Sequence, residues 1–292
     1  MIDRQPRDLP LDAHLHTDLS PDSDVDIDVY AASAVERGIA ELAITDHVDF
    51  EPGAPAFGYA TFADRERVVR RAAERWAPRG VSIRFGVELT YDRAWDADIR
   101  AHLGRHAYDF TIGSVHDRLS SPYSPGNVQH WVDGRSLREI VAPSFDEVEA
   151  AARSGLFDAL GHLDVVKRYL HPFVSKEALA GAPELYEPIL RALVESGTAL
   201  EINTSGLRHA VGETYPSATI VSRFREMGGR ALTVGSDAHR AGHFGWALED
   251  GYRYAVESGF TALTFRRGGE RVAVDIPDGA RRSPNGPGGS SL

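Results

Sequence analysis

Five short motifs, spread over more than two hundred residues, each put histidine at the end of a strand-like apolar run. They are His14-Leu15-His16, Thr45-Asp46-His47, Gly113-Ser114-Val115-His116, Gly161-His162 and Gly235-Ser236-Asp237-Ala238-His239. Glu88, in Gly86-Val87-Glu88-Leu89, follows the same layout. Side chains at the tips of successive strands converge on one point only if the strands run parallel, which is how metal sites are assembled from residues distant in sequence. Six of the chain's 12 histidines stand in these positions, so abundance alone does not account for the pattern.

Strand and helix patterns alternate almost to the end of the chain. Apolar runs read as strands at 11–14, 41–45, 82–88, 110–114, 159–162, 199–203 and 231–236, with a weaker eighth at 262–265. Helical patterns occupy 27–37, 64–76, 95–105, 145–154, 184–196, 217–227 and 246–258. Several of them close on glycine, as at Gly38, Gly155, Gly197, Gly228 and Gly259. Such alternation implies right-handed βα units and a parallel sheet. Seven or eight units imply a closed α/β barrel with its chemistry at the C-terminal strand ends. Two connections, 48–61 and 117–144, are too long for simple turns; each directly follows a motif histidine, so both are expected to overhang the site. One barrel domain is expected over 1–276, and a disordered Gly/Pro/Ser/Arg-rich tail over 277–292.

Composition decides what such a site can contain. The chain has no cysteine, so thiolate ligands, disulfides and a cysteine nucleophile are excluded. Any metal is then held by His, Asp and Glu, a donor set that suits zinc, manganese or iron. A net charge of −11 argues against a broad nucleic-acid surface. No stretch approaches the roughly 18 to 20 apolar residues that span a bilayer, and residues 1–10 form no apolar signal region. A cytoplasmic protein without a membrane partner is expected.

His14 and His16 are two apart at a strand end, where positions i and i+2 point the same way, and form a minimal two-imidazole clamp. Asp237 and His239 repeat that spacing on the last strong strand. A glutamate placed like Glu88 is expensive to bury without a cation beside it. Asp22, in Ser20-Pro21-Asp22, either reaches back to the site or forms only an Asx-type turn. Taken singly, each motif reads more readily as a satisfied polar residue; their joint occurrence at strand ends points to metal.

The set resembles the polymerase-and-histidinol-phosphatase (PHP) superfamily, whose order of HxH, TDH, a lone Glu, two separate His and a final Asp-x-His is present over roughly residues 10 to 265. The resemblance implies a distorted (β/α)7 TIM-like barrel holding three divalent metal ions. His14, His16, Glu88 and Asp237 would hold one ion, a bridging Glu88 with His116 and His162 a second, and Asp22, His47 and His239 the third. Many histidinol phosphatases carry His where Asp22 stands, while other branches use Asp. Glu201-Ile202-Asn203-Thr204-Ser205-Gly206-Leu207-Arg208, continued by Gly212-Glu213-Thr214-Tyr215-Pro216, looks like the histidinol-phosphatase branch, as does Gly113-Ser114-Val115-His116.

The implied activity is hydrolysis of a small phosphomonoester, histidinol phosphate of histidine biosynthesis, by in-line attack of a metal-bridging hydroxide. Glu88, Asp237 and His239 are the expected catalytic groups, the last two near the leaving oxygen. Arg208, following a strand end on the site face, is expected to contact the phosphate, with Lys167 or Arg168 as further candidates. Glu213 is expected to meet the substrate ammonium, and Tyr123, His130 and Trp131 to cover its ring. Three divalent ions bring about +6, three carboxylates about −3 and a hydroxide −1, leaving about +2 for a phosphate dianion. Two rivals share these metal residues: a PHP phosphoesterase acting on nucleotides or nucleic-acid ends, and a non-catalytic metal-binding module. A metal-dependent amidohydrolase expects a lysine bridging the metals, and neither Lys167 nor Lys176 stands at a suitable strand end.

Overall fold

The computed structural model describes residues 9–116, 121–124 and 126–277. Its strands are β1 (Asp12–Leu15), β2 (Glu41–Ile44), β3 (His47–Val48), β4 (Ser82–Thr90), β5 (Phe110–Ser114), β6 (Ala159–Leu160), β7 (Ala199–Asn203), β8 (Leu232–Gly235), β9 (Ala262–Arg267) and β10 (Glu270–Asp275). The helices are α1 (Ile27–Arg37), α2 (Phe62–Trp76), α3 (Asp96–Arg105), α4 (Val128–Val132), α5 (Leu137–Ser154), α6 (Lys167–Leu170), α7 (Lys176–Ala180), α8 (Pro183–Ser196), α9 (Ala218–Glu226) and α10 (Leu248–Glu257).

β1, β2, β4, β5, β6, β7 and β8 lie side by side in that order with every pairing parallel, and the short β3 adds to the end of β4. β1, β2, β5, β7 and β8 are buried along their whole length, as in a parallel sheet covered on both faces. The two edges meet. Asp237 N–H donates to the His14 carbonyl (2.9 Å) and His16 N–H to the Ala238 carbonyl (3.0 Å), joining the end of β8 to β1. At the start of β1 the Asp12 carboxylate accepts from Ser236 N–H at 2.9 Å and fills the seam. That close approach depends on Gly235, where a Cβ would stand 2.4 Å from His14 Cβ. The result is the distorted barrel of seven βα units, with the strand ends of interest at one mouth.

Helix starts and stops follow local chemistry. The Asp26 and Thr61 side chains accept first-turn N–H groups of α1 and α2, while α1, α5 and α8 end on left-handed Gly38, Gly155 and Gly197.

Two expectations need correction. The segment 117–144 is not one long loop, because it holds α4 and the first turns of α5. Ser136 and Glu139 form a capping box, each side chain accepting the other's N–H, which starts α5 ahead of Pro143. The run at 262–265 is not an eighth barrel strand, because β9 pairs antiparallel with β10. This hairpin covers the N-terminal end of the barrel: Phe265 packs on Phe110 with ring centroids 4.6 Å apart, and Arg267 reaches Glu41 at 2.6 Å. Residues 278–292 of the expected tail lie outside the described residues. Among the described residues no helix is long and apolar enough to cross a membrane.

Candidate metal centre

Parallel strands bring all nine expected ligands together at the C-terminal mouth. Glu88, on β4 and fully buried, is the centre. Its Oε1 lies 2.8 Å from His162 Nε2 and 3.2 Å from His116 Nε2. Its Oε2 lies 3.3 Å from both His14 Nε2 and His16 Nε2, and 2.9 Å from His47 Nδ1. Asp237 Oδ1 stands 3.5 Å from His16 Nε2 and 3.9 Å from His14 Nε2. Asp22 Oδ2 approaches His47 Nε2 (3.4 Å) and His239 Nε2 (3.1 Å), themselves 3.4 Å apart.

Hydrogen bonds behind the rings fix what these contacts mean. His14 Nδ1–H donates to Glu201 Oε1 at 2.7 Å, which leaves Nε2 as the atom facing His16 Nε2, 3.0 Å away, and Glu88. The Thr90 hydroxyl donates to Asp49 Oδ1 (2.5 Å) and can only accept from His116 Nδ1–H (2.9 Å). His116 Nε2 is therefore the atom left facing Glu88. Nitrogens and carboxylate oxygens crowded at these distances call for positive charge among them, supplied by protons on the rings or by a bound cation. Glu88 Oε2, though buried, accepts no hydrogen bond among the described residues. Ligands about 2.0–2.2 Å from a tetrahedral zinc ion sit about 3.3–3.6 Å apart, close to the separations found here. Four groups of three bring their ligand atoms within 4.8 Å of one another: His14, His16 and Asp237; His14, Glu88 and His162; His47, Glu88 and His116; and His16, His47 and His239. The donor set fits divalent ions.

Electrostatics agree. Burial pushes the Glu88 carboxyl up, but the imidazoles of His116, His14 and His47 hold it well below the usual carboxylate range. Burial lowers His47, yet Glu88 and Asp22 raise it to about 10. His14 is likewise raised by Glu201, Glu88 and Asp237 against burial, whereas His16, buried beside His239 and His47, is held well below its ordinary value. Without metal, protons on imidazole carry the positive charge that the carboxylates demand.

Other residues hold the ligands in place. The Asp46 carboxylate accepts from Thr17 N–H (2.7 Å) and from the hydroxyls of Thr17 (2.8 Å) and Ser20 (2.9 Å), tying the loop that carries Asp22 to the end of β2. Asp237 adopts a left-handed φ of 52°, uncommon for a residue with a side chain. Arg208 steadies that turn by donating to the carbonyls of Ser236 (2.8 Å) and Asp237 (2.5 Å). Sequence reasoning does not single out Glu201, whose only signal is a charge inside the fully buried β7. Besides His14, its carboxylate accepts from His162 N–H at 2.8 Å and so braces two ligands.

A cavity of about 440 Å³ opens over the donors. The 48–61 connection walls it through Phe50, Glu51 and Pro55, while Asp92, Trp95, Arg168 and Tyr169 line other sides. From 117–144, Ser121, Pro122 and Tyr123 wall a smaller adjoining cavity of about 150 Å³. The Tyr123 hydroxyl and Trp131 Nε1 both donate to the Ile140 carbonyl (2.7 and 3.0 Å), which fastens this segment to α5, and His130 is exposed on α4. Lys167 and Glu213 meet each other at 2.8 Å, and Lys167 also meets Asp164 at 3.0 Å and the Thr214 carbonyl at 2.7 Å. Of the expected substrate contacts, Arg168 lines the main cavity, whereas Arg208, Lys167 and Glu213 do not.

A parallel barrel with imidazole and carboxylate donors crowded at its C-terminal mouth defines a barrel protein with a candidate metal centre. The family model of the PHP domain matches residues 12–205, and the chain belongs to that family. A "probable histidinol-phosphatase" of Deinococcus radiodurans is 30% identical over 258 residues, covering 87% of this chain and 96% of that protein. The histidinol-phosphatase of Lactococcus lactis is 28% identical over 234 residues, covering 79% and 84%. Among solved structures, the fold is similar to that of the Lactococcus lactis histidinol phosphate phosphatase, crystallised with zinc, L-histidinol and phosphate. The TM-score is 0.79 at 22% identity, over 90% of this chain and 98% of that one.

Proposed function

We propose that the protein is a cytoplasmic, metal-dependent phosphomonoesterase that hydrolyses L-histidinol phosphate to L-histidinol and phosphate, a step of histidine biosynthesis. The observation that carries this reading is one cavity with two chemistries. Its floor is the donor cluster with Arg168 beside it, suited to a phosphate dianion. Its outer wall presents Glu51 and Asp92 with Phe50 and Trp95, suited to an ammonium group and a flat imidazole ring. The volume suits a ligand of that size.

His14, His16, Glu88 and Asp237 would hold one ion, Glu88 with His116 and His162 a second, and Asp22, His47 and His239 a third; zinc, manganese and iron all suit these donors. Bound divalent ions would supply an activated water nucleophile and neutralise charge on the phosphoryl oxygens. Around them, Arg168 pairs with phosphate oxygens. Arg208 holds Asp237 in its turn through the Ser236 and Asp237 carbonyls, a positioning part rather than a contact with the anion. His239 lines the cavity; bound to an ion through Nε2 it would have no proton there for the leaving oxygen, so in this reading its part is that of a ligand. Lys167 and Glu213 neutralise each other, so the ammonium role passes to Glu51 and Asp92.

The test is phosphate release from histidinol phosphate, nucleotides and sugar phosphates with manganese or zinc added. Histidinol phosphate is expected to lead in kcat/KM by on the order of tenfold or more. Faster release from nucleotides would favour the broader PHP phosphoesterase, and ion uptake without turnover of any ester would favour a non-catalytic module.

A further inference from the structure

Thr90 sits between a metal ligand and the loop that walls the cavity. Its hydroxyl donates to Asp49 Oδ1 (2.5 Å) and accepts from His116 Nδ1–H (2.9 Å). The second Asp49 oxygen accepts the Ala56 N–H at 3.0 Å, closing the loop on itself. Within the segment, short turns join Ala54 N–H to the Glu51 carbonyl (3.1 Å) and Phe57 N–H to the Ala54 carbonyl (3.0 Å), and Phe50 packs edge-on against His102 with ring centroids 5.5 Å apart. It puts Phe50, Glu51 and Pro55 on the cavity wall and leaves Phe57 and Tyr59 half exposed.

Donor and acceptor roles along this chain run one way. A carboxylate only accepts, and Thr90 has one proton, which goes to Asp49. His116 Nδ1 is therefore the donor of the pair, and Nε2 turns toward Glu88 Oε1, 3.2 Å away. We propose that Thr90 and Asp49 are positioning residues that couple ion occupancy at His116 to the folded state of the 49–60 loop. An ion on Nε2 makes Nδ1–H a stronger donor, which strengthens the Thr90 and Asp49 bonds in series and so the hold on Ala56. By reciprocity the folded loop raises affinity for that ion. The wall that meets the substrate is then completed by loading the metal. This inference rests on the metal-centre part of the proposed function and is independent of the substrate's identity.

The test uses the full chain stripped with chelator, and zinc or manganese alone as the probe. Thr90→Val removes the hydroxyl and keeps the shape, while Thr90→Ser restores the hydroxyl. Asp49→Asn keeps one acceptor oxygen, so it serves Thr90 or Ala56 but not both. Ion affinity is read by competition with a chromogenic chelator, and the loop by amide hydrogen exchange over 49–60 with and without ion. In the wild type, ion binding is expected to slow that exchange. In Thr90→Val, affinity at one ion is expected to fall on the order of 10- to 100-fold and the protection to vanish, with Thr90→Ser returning both. Asp49→Asn is expected to lose the protection. Should Thr90→Val fail to fold, Asp49→Asn and Thr90→Ser decide the matter by the same readouts. Wild-type affinity and protection in the folded Thr90→Val or in Asp49→Asn would overturn the coupling alone; a wild-type chain that takes up no ion would overturn both the coupling and the proposed function.

Discussion

The Glu201 carboxylate accepts from His14 Nδ1–H at 2.7 Å with neither side chain exposed, so one buried anion decides which nitrogen of His14 faces the donor cluster. The same carboxylate holds the His162 backbone. Glu201→Gln places an amide where three donors, His14 Nδ1–H, the His162 N–H and the Asn203 amide, converge on two oxygens, and its NH2 end cannot accept from them. Ion affinity is expected to drop on the order of 10- to 100-fold with the fold retained, measured by chelator competition beside a thermal melt. Unchanged affinity would assign Glu201 to structure alone.

Glu88 carries more contacts to the other donors than any side chain around it. Glu88→Gln keeps the volume but removes the charge that allows two ions to share a carboxylate. Turnover is expected to fall on the order of 10² or more, with circular dichroism unchanged. Near-normal turnover at saturating metal would show that Glu88 is not shared.

The pH response follows from His47, raised to about 10 from an ordinary 6.5. In the metal-free protein this raised value contributes stability that is fully present below about pH 6.5 and lost as pH rises through about 10. Glu88, Asp22 and Asp237, all held below their ordinary range, contribute stability that is present at neutral pH and lost in acid. A bound ion replaces the His47 proton. Chelator-treated protein is therefore expected to lose thermal stability between pH 6.5 and 10 more steeply than loaded protein. Ion uptake near neutral pH is expected to release protons, measured by calorimetry in buffers of different ionisation heat. Parallel stability curves and a buffer-independent heat would contradict this.

Arg168 and Lys167 are adjacent in sequence but separate in role. Arg168→Ala is expected to raise KM for the phosphate ester with little change in melting temperature. Lys167→Met leaves the buried Asp164 without its cation and is expected to cost stability, on the order of 3–5 kcal/mol, read by denaturant unfolding. A KM effect of Lys167→Met with unchanged stability would reverse these roles.

Much of this was legible in the sequence because strand ends are punctuated. His14, His16, His47, His116, His162, Asp237 and His239 each follow an apolar run, and the alternation of runs and helices fixes their convergence. Asp22 was ambiguous, since a turn carboxylate looks alike whether or not it reaches back. What stayed hidden depends on contacts between distant segments. Glu201 is a single charge in β7 until the His14 ring and the His162 backbone are seen at its carboxylate. Asp49 and Thr90 are 41 positions apart and meet only because β3 pairs with β4. The start of α5 was signalled by Ser136 and Glu139 but masked by Pro143, which suggests loop when read alone. Lys167 looked available for phosphate because nothing local announces that Asp164 and Glu213 will enclose it.

The most direct measurement is a metal titration of chelator-stripped protein, following phosphate release from histidinol phosphate and ions bound per chain together. The account predicts no release from the stripped protein and a plateau reached only after more than two ions per chain have bound. Full activity without added metal, or a plateau at a single ion, would contradict it.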